Sequence, residues 1–340
     1  MHSKAWQFRK NANTFDLETI DRSLPECPPP GTLRIKIHAA SLNYRDIIAW
    51  QNLAGRNVEG RVPCSDGAGE ILSKGEGCDA WNIGDRVAGC FFQRWQSGRF
   101  DLSYHKYDLG GNIDGMLQQV IDLPATGIVG IPSHLTYEQG STLPCAGLTA
   151  WYSLVTRGKL REGETVLCIG TGGVSIFALQ FAKALGALTI VLSSSHEKLR
   201  RAEELGAWKT INYKESPQWS DVVSELTEHR GVDHVVEVGG PGTLEQSLKS
   251  VAAGGQIALI GVLTGFGPPS TSLFPLLARN VRMDGIYVGS RENFLEMNQF
   301  IAREHLEPVI DQVFDFDQVP RAFEALRSAK HFGKLVVRIP

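Results

Sequence analysis

The sequence has 340 residues, room for about two domains and ample for a buried core. Hydrophobic residues make up 42% and charged residues 21%, and the formal net charge is -3. That balance suits a soluble globular protein and leaves no electrostatic footprint for nucleic acid or an anionic membrane surface. The densest basic cluster, Arg200-Arg201, is followed by Glu203-Glu204 and reads as a solvated helix face. No apolar run approaches the ~20 residues of a membrane span, and MHSKAWQFRKNANTF lacks a signal-peptide stretch. Cys27, Cys64, Cys78, Cys90, Cys145 and Cys168 never form C-x-x-C, so free thiols in a cytoplasmic protein are expected.

The first 125 residues are rich in Gly and Pro, with short β-type runs at 33–40, 67–75 and 85–92 separated by turns such as PPPG and NIGD. They predict a twisted antiparallel β domain. From about residue 135 the pattern changes. TVLCIG, LTIVLS, KTINY, HVVEVG and QIALIG are short, β-branched and mostly apolar. Between them lie VSIFALQFAKALG, HEKLRRAEELG, WSDVVSELTEHRG and TLEQSLKSVAAGG, each at helical spacing with a glycine stop. This cadence predicts parallel βαβ units in a doubly wound sheet, with RMDGIYVGS (282–290) as sixth strand. The tail from about 306 is β-like again at VIDQVF and KLVVRI and is expected to rejoin the first domain.

GTGGVS sits between the first strand of this series and its helix, the context a dinucleotide loop requires. Gly170 permits the tight turn, Thr171 follows it, and Gly172 lets the backbone approach a pyrophosphate. Gly173, Val174 and Ser175 open a helix whose free N–H groups favour an anion. The pattern is G-x-G-x-x-S, so a small polar residue replaces the third glycine. The second strand then bears on which dinucleotide is taken. It ends Ser193-Ser194-Ser195, where NAD-specific folds place a carboxylate for the ribose hydroxyl, and Lys198 lies one turn on. Hydroxyls plus a cation suit a 2′-phosphate, which predicts NADP(H) in preference to NAD(H). Ser194-x-x-Glu197 also fits a capping box with Lys198 facing water, and the two readings are compatible.

DGAGEI (66–71), NIGDRV (82–87), STLPCAGLTAWYSL (141–154), GTGGVS, EVGGPGTLEQS (237–247) and HFGKLVVRI (331–339) together resemble the medium-chain dehydrogenase/reductase superfamily. More narrowly they resemble its zinc-independent, quinone-oxidoreductase-like branch. The resemblance implies a GroES-like, mainly antiparallel β catalytic domain from both chain ends (1–127 and 306–340). It also implies a Rossmann domain over 128–305, NAD(P)(H) in the cleft, and homodimers joined through the last Rossmann strand. By the same resemblance, Thr149 approaches the nicotinamide side. Val238 and Gly239, Gly261 to Leu263 (with Val262), and Val288, Gly289 and Ser290 border the ribose and nicotinamide. Tyr213 flanks the adenosine phosphate and Lys334 lies near the pyrophosphate, although strand-end glycines also serve as turns and a tail lysine is often solvated.

In zinc-dependent relatives three side chains hold the catalytic ion, and here those positions fall on Asn43, Ser65 and Cys145. Carboxamide and hydroxyl are poor zinc ligands and one thiolate cannot hold the ion alone, so no metal is expected. Without a Lewis acid, acceptors that are already electrophilic need less help, which points to an enone, quinone or activated aldehyde. Asn43 and Tyr44 are the candidate donors to the acceptor oxygen, and Tyr44 could also deliver a proton. Equally, Asn43 could hold a turn and Tyr44 could pack beneath the cofactor. The sequence leaves three functions open: NADPH-dependent reduction of a small carbonyl compound, dinucleotide binding without turnover, and zinc-type alcohol oxidation.

Overall fold

The computed structural model describes residues 2–340. It opens with an antiparallel hairpin, β1 (His2–Asn11) and β2 (Thr14–Ser23). Strands β3 (Thr32–Ser41), β4 (Asp66–Lys74), β5 (Arg86–Gly89), β6 (Val120–Pro124) and β7 (Ile128–Gly130) follow, with helices α1 (Tyr44–Trp50) and α2 (Tyr137–Gly140). On β3, Leu33, Ile35 and Ile37 alternate along the strand and are buried in one core with Phe8, Val87 and Phe323. This two-residue period turns one face of the strand into the core.

After α3 (Leu148–Trp151) the chain winds β8 (Thr165–Cys168), α4 (Gly173–Ala184), β9 (Leu188–Ser193), α5 (His196–Leu205), β10 (Lys209–Asn212), α6 (Trp219–Leu226), β11 (Val232–Glu237), α7 (Leu244–Ser250), β12 (Val251–Leu259), α8 (Phe274–Ala278) and β13 (Arg282–Gly285). The six strands pair in parallel in the order β10-β9-β8-β11-β12-β13. That is the doubly wound arrangement, whose strand order reverses beside β8. Every residue of β8 is buried, as a central strand covered on both faces requires. Gly206, in the left-handed region at φ 108°, ends α5 where the sequence places a stop. The sixth strand is shorter than expected and ends at Gly285.

The chain then forms α9 (Arg291–Arg303), β14 (Ile310–Asp315), α10 (Val319–Arg327) and β15 (Lys334–Arg338). β15 pairs antiparallel with β3, extending a sheet ordered β14-β15-β3-β4-β5-β7, so the tail completes the first sheet. Two compact units result: one runs to Leu148 and resumes as Gly289–Pro340, the other is Thr149–Val288. The expected borders at 127/128 and 305/306 differ from these for a local reason. β7 pairs with β5, while Arg291 Nε and Asn298 Nδ2 donate to the carbonyls of Ile128 and Gly130, which ties α9 to the same sheet. No helix among the described residues is long and apolar enough to cross a membrane.

Candidate active site

In the second unit, the residues singled out for phosphate binding lie at the carboxyl ends of adjacent strands. Gly170, at φ 80°, turns the chain out of β8 in the left-handed region that only glycine enters freely. Gly172 is the N-cap of α4 and offers no side-chain cap, so the first-turn N–H groups keep their donor capacity. A Cβ built on Gly172 would meet nothing within 4 Å, so the backbone borders open space that a ligand can fill. Thr171 is buried beside it, and Gly173 and Val174 form the first turn. Ser175 is buried and its hydroxyl donates to the Ile169 carbonyl at 2.9 Å. It pins helix to strand and has only its backbone to offer an anion.

β9 lies beside β8, and its end carries the three serines. The Ser193 hydroxyl accepts from the Ser195 N–H at 3.3 Å, and the Ser195 hydroxyl accepts from the Lys198 N–H at 3.4 Å. The cap of α5 is therefore Ser195, one residue after the Ser194 that the capping-box spacing predicts. Lys198 stands in the first turn of α5, half-buried. Tyr213 follows β10, is 41% exposed, and donates its N–H to the Ser193 carbonyl. Ser193, Ser194, Ser195, Lys198 and Tyr213 thus share one end of the sheet.

Val238 and Gly239 follow β11, and Gly261, Val262 and Leu263 follow β12, with Leu263 half exposed. Val288 has φ 59°, a strained value for a β-branched residue. Thr149 is buried in α3. Ser290 and Gly289 belong to the first unit, where the Ser290 hydroxyl caps α9 through Asn293. That side chain is engaged in the cap of its own helix. One residue went unnoticed in the sequence. Glu237, wholly buried at the end of β11, accepts from the N–H groups of Gly239 and Gly240 at 2.7 and 2.9 Å, and from the hydroxyls of Thr243 and Ser247. These charge-assisted bonds fix the strand-end loop, and the only sequence signal was a carboxylate immediately before V-G-G.

The first unit holds the second cluster. Asn43 is the N-cap of α1, and its N–H donates to Asp46 Oδ2 at 2.8 Å, so it does hold a turn. Tyr44 packs half-buried against the core. Because β15 lies against β3, Lys334 is brought beside Asn43 from the far end of the chain. Its ammonium is buried and donates to the Leu42 carbonyl at 2.7 Å and to Asn43 Oδ1 at 2.5 Å, with Asp66 Oδ2 4.0 Å away. The resemblance implies a pyrophosphate-side setting for Lys334, and these partners all lie within the first unit. Asp66, itself wholly buried, accepts from the Ser65 hydroxyl and the Cys145 N–H.

Burial raises the Asp66 carboxyl above its usual range, with the Lys334 ammonium pulling the other way. Burial likewise lifts Asp46 to about 6, against the opposing charge of Arg45. The thiols of Cys64 and Cys145 are pushed well up, first by desolvation and then by the neighbouring carboxylates. Asn43 Nδ2 is buried beside Asp66, whose charged form it helps to stabilise, although the contact falls short of a well-formed hydrogen bond. Among the described residues, no three His, Cys, Asp or Glu side chains are gathered as a metal site.

Residues 29–133 match the family model of the alcohol dehydrogenase GroES-like domain, and residues 173–303 match that of zinc-binding dehydrogenases. A zinc-type alcohol dehydrogenase-like protein of Schizosaccharomyces pombe is 43% identical over 333 residues, covering 96% of each chain. An acryloyl-coenzyme A reductase of Metallosphaera sedula is 27% identical, covering 91% of this chain and 93% of its own. Among solved structures, a candidate alcohol dehydrogenase from Sinorhizobium meliloti 1021 superposes with a TM-score of 0.93 at 39% identity, covering 99% of each chain.

Proposed function

The chain belongs to the medium-chain dehydrogenase/reductase superfamily and is an NAD(P)-dependent oxidoreductase, and from that premise we propose that it uses NADPH to reduce an activated carbonyl compound without zinc. The observation that carries this reading is the cluster around Asn43: a buried ammonium on the oxygen of its carboxamide, the N–H2 beside the Asp66 carboxylate, and, among the described residues, no set of three ligands suited to zinc. Burial, with the neighbouring carboxylates, pushes the thiols of Cys64 and Cys145 up. The segment matched by the zinc-binding dehydrogenase model, 173–303, contains none of the three positions Asn43, Ser65 and Cys145.

When bound, the reduced nicotinamide supplies a hydride to the acceptor carbon. The π electrons of the acceptor then collect on its oxygen, and in this reading the carboxamide of Asn43 donates to it. An acceptor conjugated to a second unsaturated group already spreads this charge, so it needs less polarisation than a simple ketone. The name of the Metallosphaera relative, a reductase of an unsaturated thioester, fits that class. The test is NADPH consumption by chelator-treated protein, with metal content measured alongside, against enones, quinones, aldehydes and simple alcohols. Turnover of enones or quinones at negligible zinc is expected. Activity that appears only on adding zinc, with simple alcohols and oxidised cofactor, would sink the reading and favour a zinc-type alcohol dehydrogenase.

The preference for NADPH rests on Ser194 and Lys198 at the end of β9. Lys198→Ala is expected to weaken NADPH binding by about 1.5–3 kcal/mol, the worth of a hydrogen bond to a charged group, and to leave NADH nearly unchanged. Equal losses for the two nucleotides, measured by fluorescence titration, would remove Lys198 from the 2′-phosphate. β13 is an edge strand, and α8 beside it in sequence exposes Phe274 and Leu277. A homodimer joined along this edge is expected. Sedimentation equilibrium should give the mass of two chains, and a monomer at micromolar concentration would refute it.

A further inference from the structure

We propose that Lys334 is a positioning residue for the acceptor oxygen: its ammonium fixes the Asn43 carboxamide with the N–H2 group turned away from it, and so supplies a directed donor and a local positive charge. This deepens the proposed function and rests on it. An ammonium has three N–H donors and no acceptor, so only the oxygen of the Asn43 carboxamide can face it. The observed 2.5 Å contact is that pairing. A flipped amide would set donor against donor in a buried place, so Lys334 decides which way the carboxamide points.

Two of the three Lys334 donors are used, on Leu42 O and Asn43 Oδ1, and the third direction has only Asp66 at 4.0 Å. Asn43 Nδ2 lies beside the Asp66 carboxylate without completing a well-formed hydrogen bond. An oxygen that entered beside Nδ2 would find a hydrogen-bond donor polarised by a cation on the other side of the same amide. The surrounding charges hold this arrangement. Asp66 faces Lys334 from β4, and Asp46 and Arg45 flank Asn43 on α1. Asp66 in turn is held by the Ser65 hydroxyl and the Cys145 N–H. No part of this cluster needs a metal ion to fix its geometry.

The test uses the full chain, isotopically labelled and free of nucleotide, and follows the Asn43 side-chain amide by NMR. In the wild type this group should give one sharp, shifted pair of proton signals. Lys334→Met, which keeps the stem and removes the charge, should broaden that pair or move it to the free-carboxamide position. NADPH affinity, read by fluorescence, should stay within about twofold, and kcat on any acceptor the wild type reduces should fall about tenfold or more. An unchanged Asn43 pair in a folded Lys334→Met protein overturns the proposal. If that variant also binds NADPH about tenfold more weakly, Lys334 belongs to the nucleotide phosphates instead. Should Lys334→Met fail to fold, the reciprocal measurement decides. The Lys334 Nζ signal must shift in Asn43→Ala, and no shift refutes the contact. If the wild type reduces no acceptor, the proposed activity falls while the amide signals still judge Lys334.

Discussion

Gly172→Asp is expected to fold at least as stably as the wild-type chain and yet bind NADPH about 100-fold more weakly or worse. The two effects have opposite signs because they act on the same N–H groups. Gly172 is the N-cap of α4, with extended backbone at φ -79° and ψ -177°, and a Cβ there meets nothing within 4 Å. An aspartate therefore fits without strain, and its carboxylate accepts from the first turn as a good cap does, worth a few tenths of a kcal/mol over glycine. It also faces the positive end of the helix dipole. Those are the interactions a diphosphate would make. Losing one or two hydrogen bonds to a charged group costs about 1.5–3 kcal/mol each, before charge repulsion is added. Thermal unfolding and NADPH titration on the same sample check both halves. A loss of binding accompanied by a loss of stability would instead mean that the substitution damaged the fold, and unchanged binding would show that the diphosphate sits elsewhere.

Asn43→Ala should lower kcat for the reduced acceptor by about 10²–10³, the usual effect of deleting one donor to a developing oxyanion, with NADPH affinity unchanged. Asn43 N–H still pairs with Asp46 in the variant, because that bond is made by the backbone, so α1 keeps part of its cap. What is lost is the carboxamide that stands between Lys334 and Asp66. Lys334 then lacks one of its two hydrogen-bond acceptors, and stability should fall by about 1–3 kcal/mol. Steady-state kinetics well below the unfolding midpoint separate this from the catalytic loss. A kcat within about threefold of wild type would exclude Asn43 as the donor and return attention to Tyr44.

Much of the fold was legible in the sequence because its signals are local. The end of β9 at Ser193 and the stop of α5 at Gly206 follow from β-branched runs and a glycine that tolerates positive φ. The glycine loop after β8 was legible for the same reason, since strand, glycines and helix are contiguous. Contacts that join distant segments were not. Lys334 and Asn43 are 291 positions apart, and only the pairing of β15 with β3 brings them together. Periodicity can suggest that KLVVRI is a strand, but not which strand it joins. α10 went unread because it lies between two β-type runs, and its buried face of Val319, Ala322, Phe323 and Leu326 emerges only against the hairpin core. The serine cap was misplaced by one residue because Ser194 and Ser195 have equal intrinsic fitness as caps, and the end of β9 selects the second. Glu237 was passed over since a carboxylate beside glycines reads as a turn until its four donors are seen around it.

The most direct measurement is a calorimetric titration of the purified, chelator-treated wild-type chain with NADPH and separately with NADH. One molecule of NADPH per chain should bind, more tightly than NADH, with no metal present. Absence of heat for both nucleotides, or binding that requires added zinc, would contradict the account at its root.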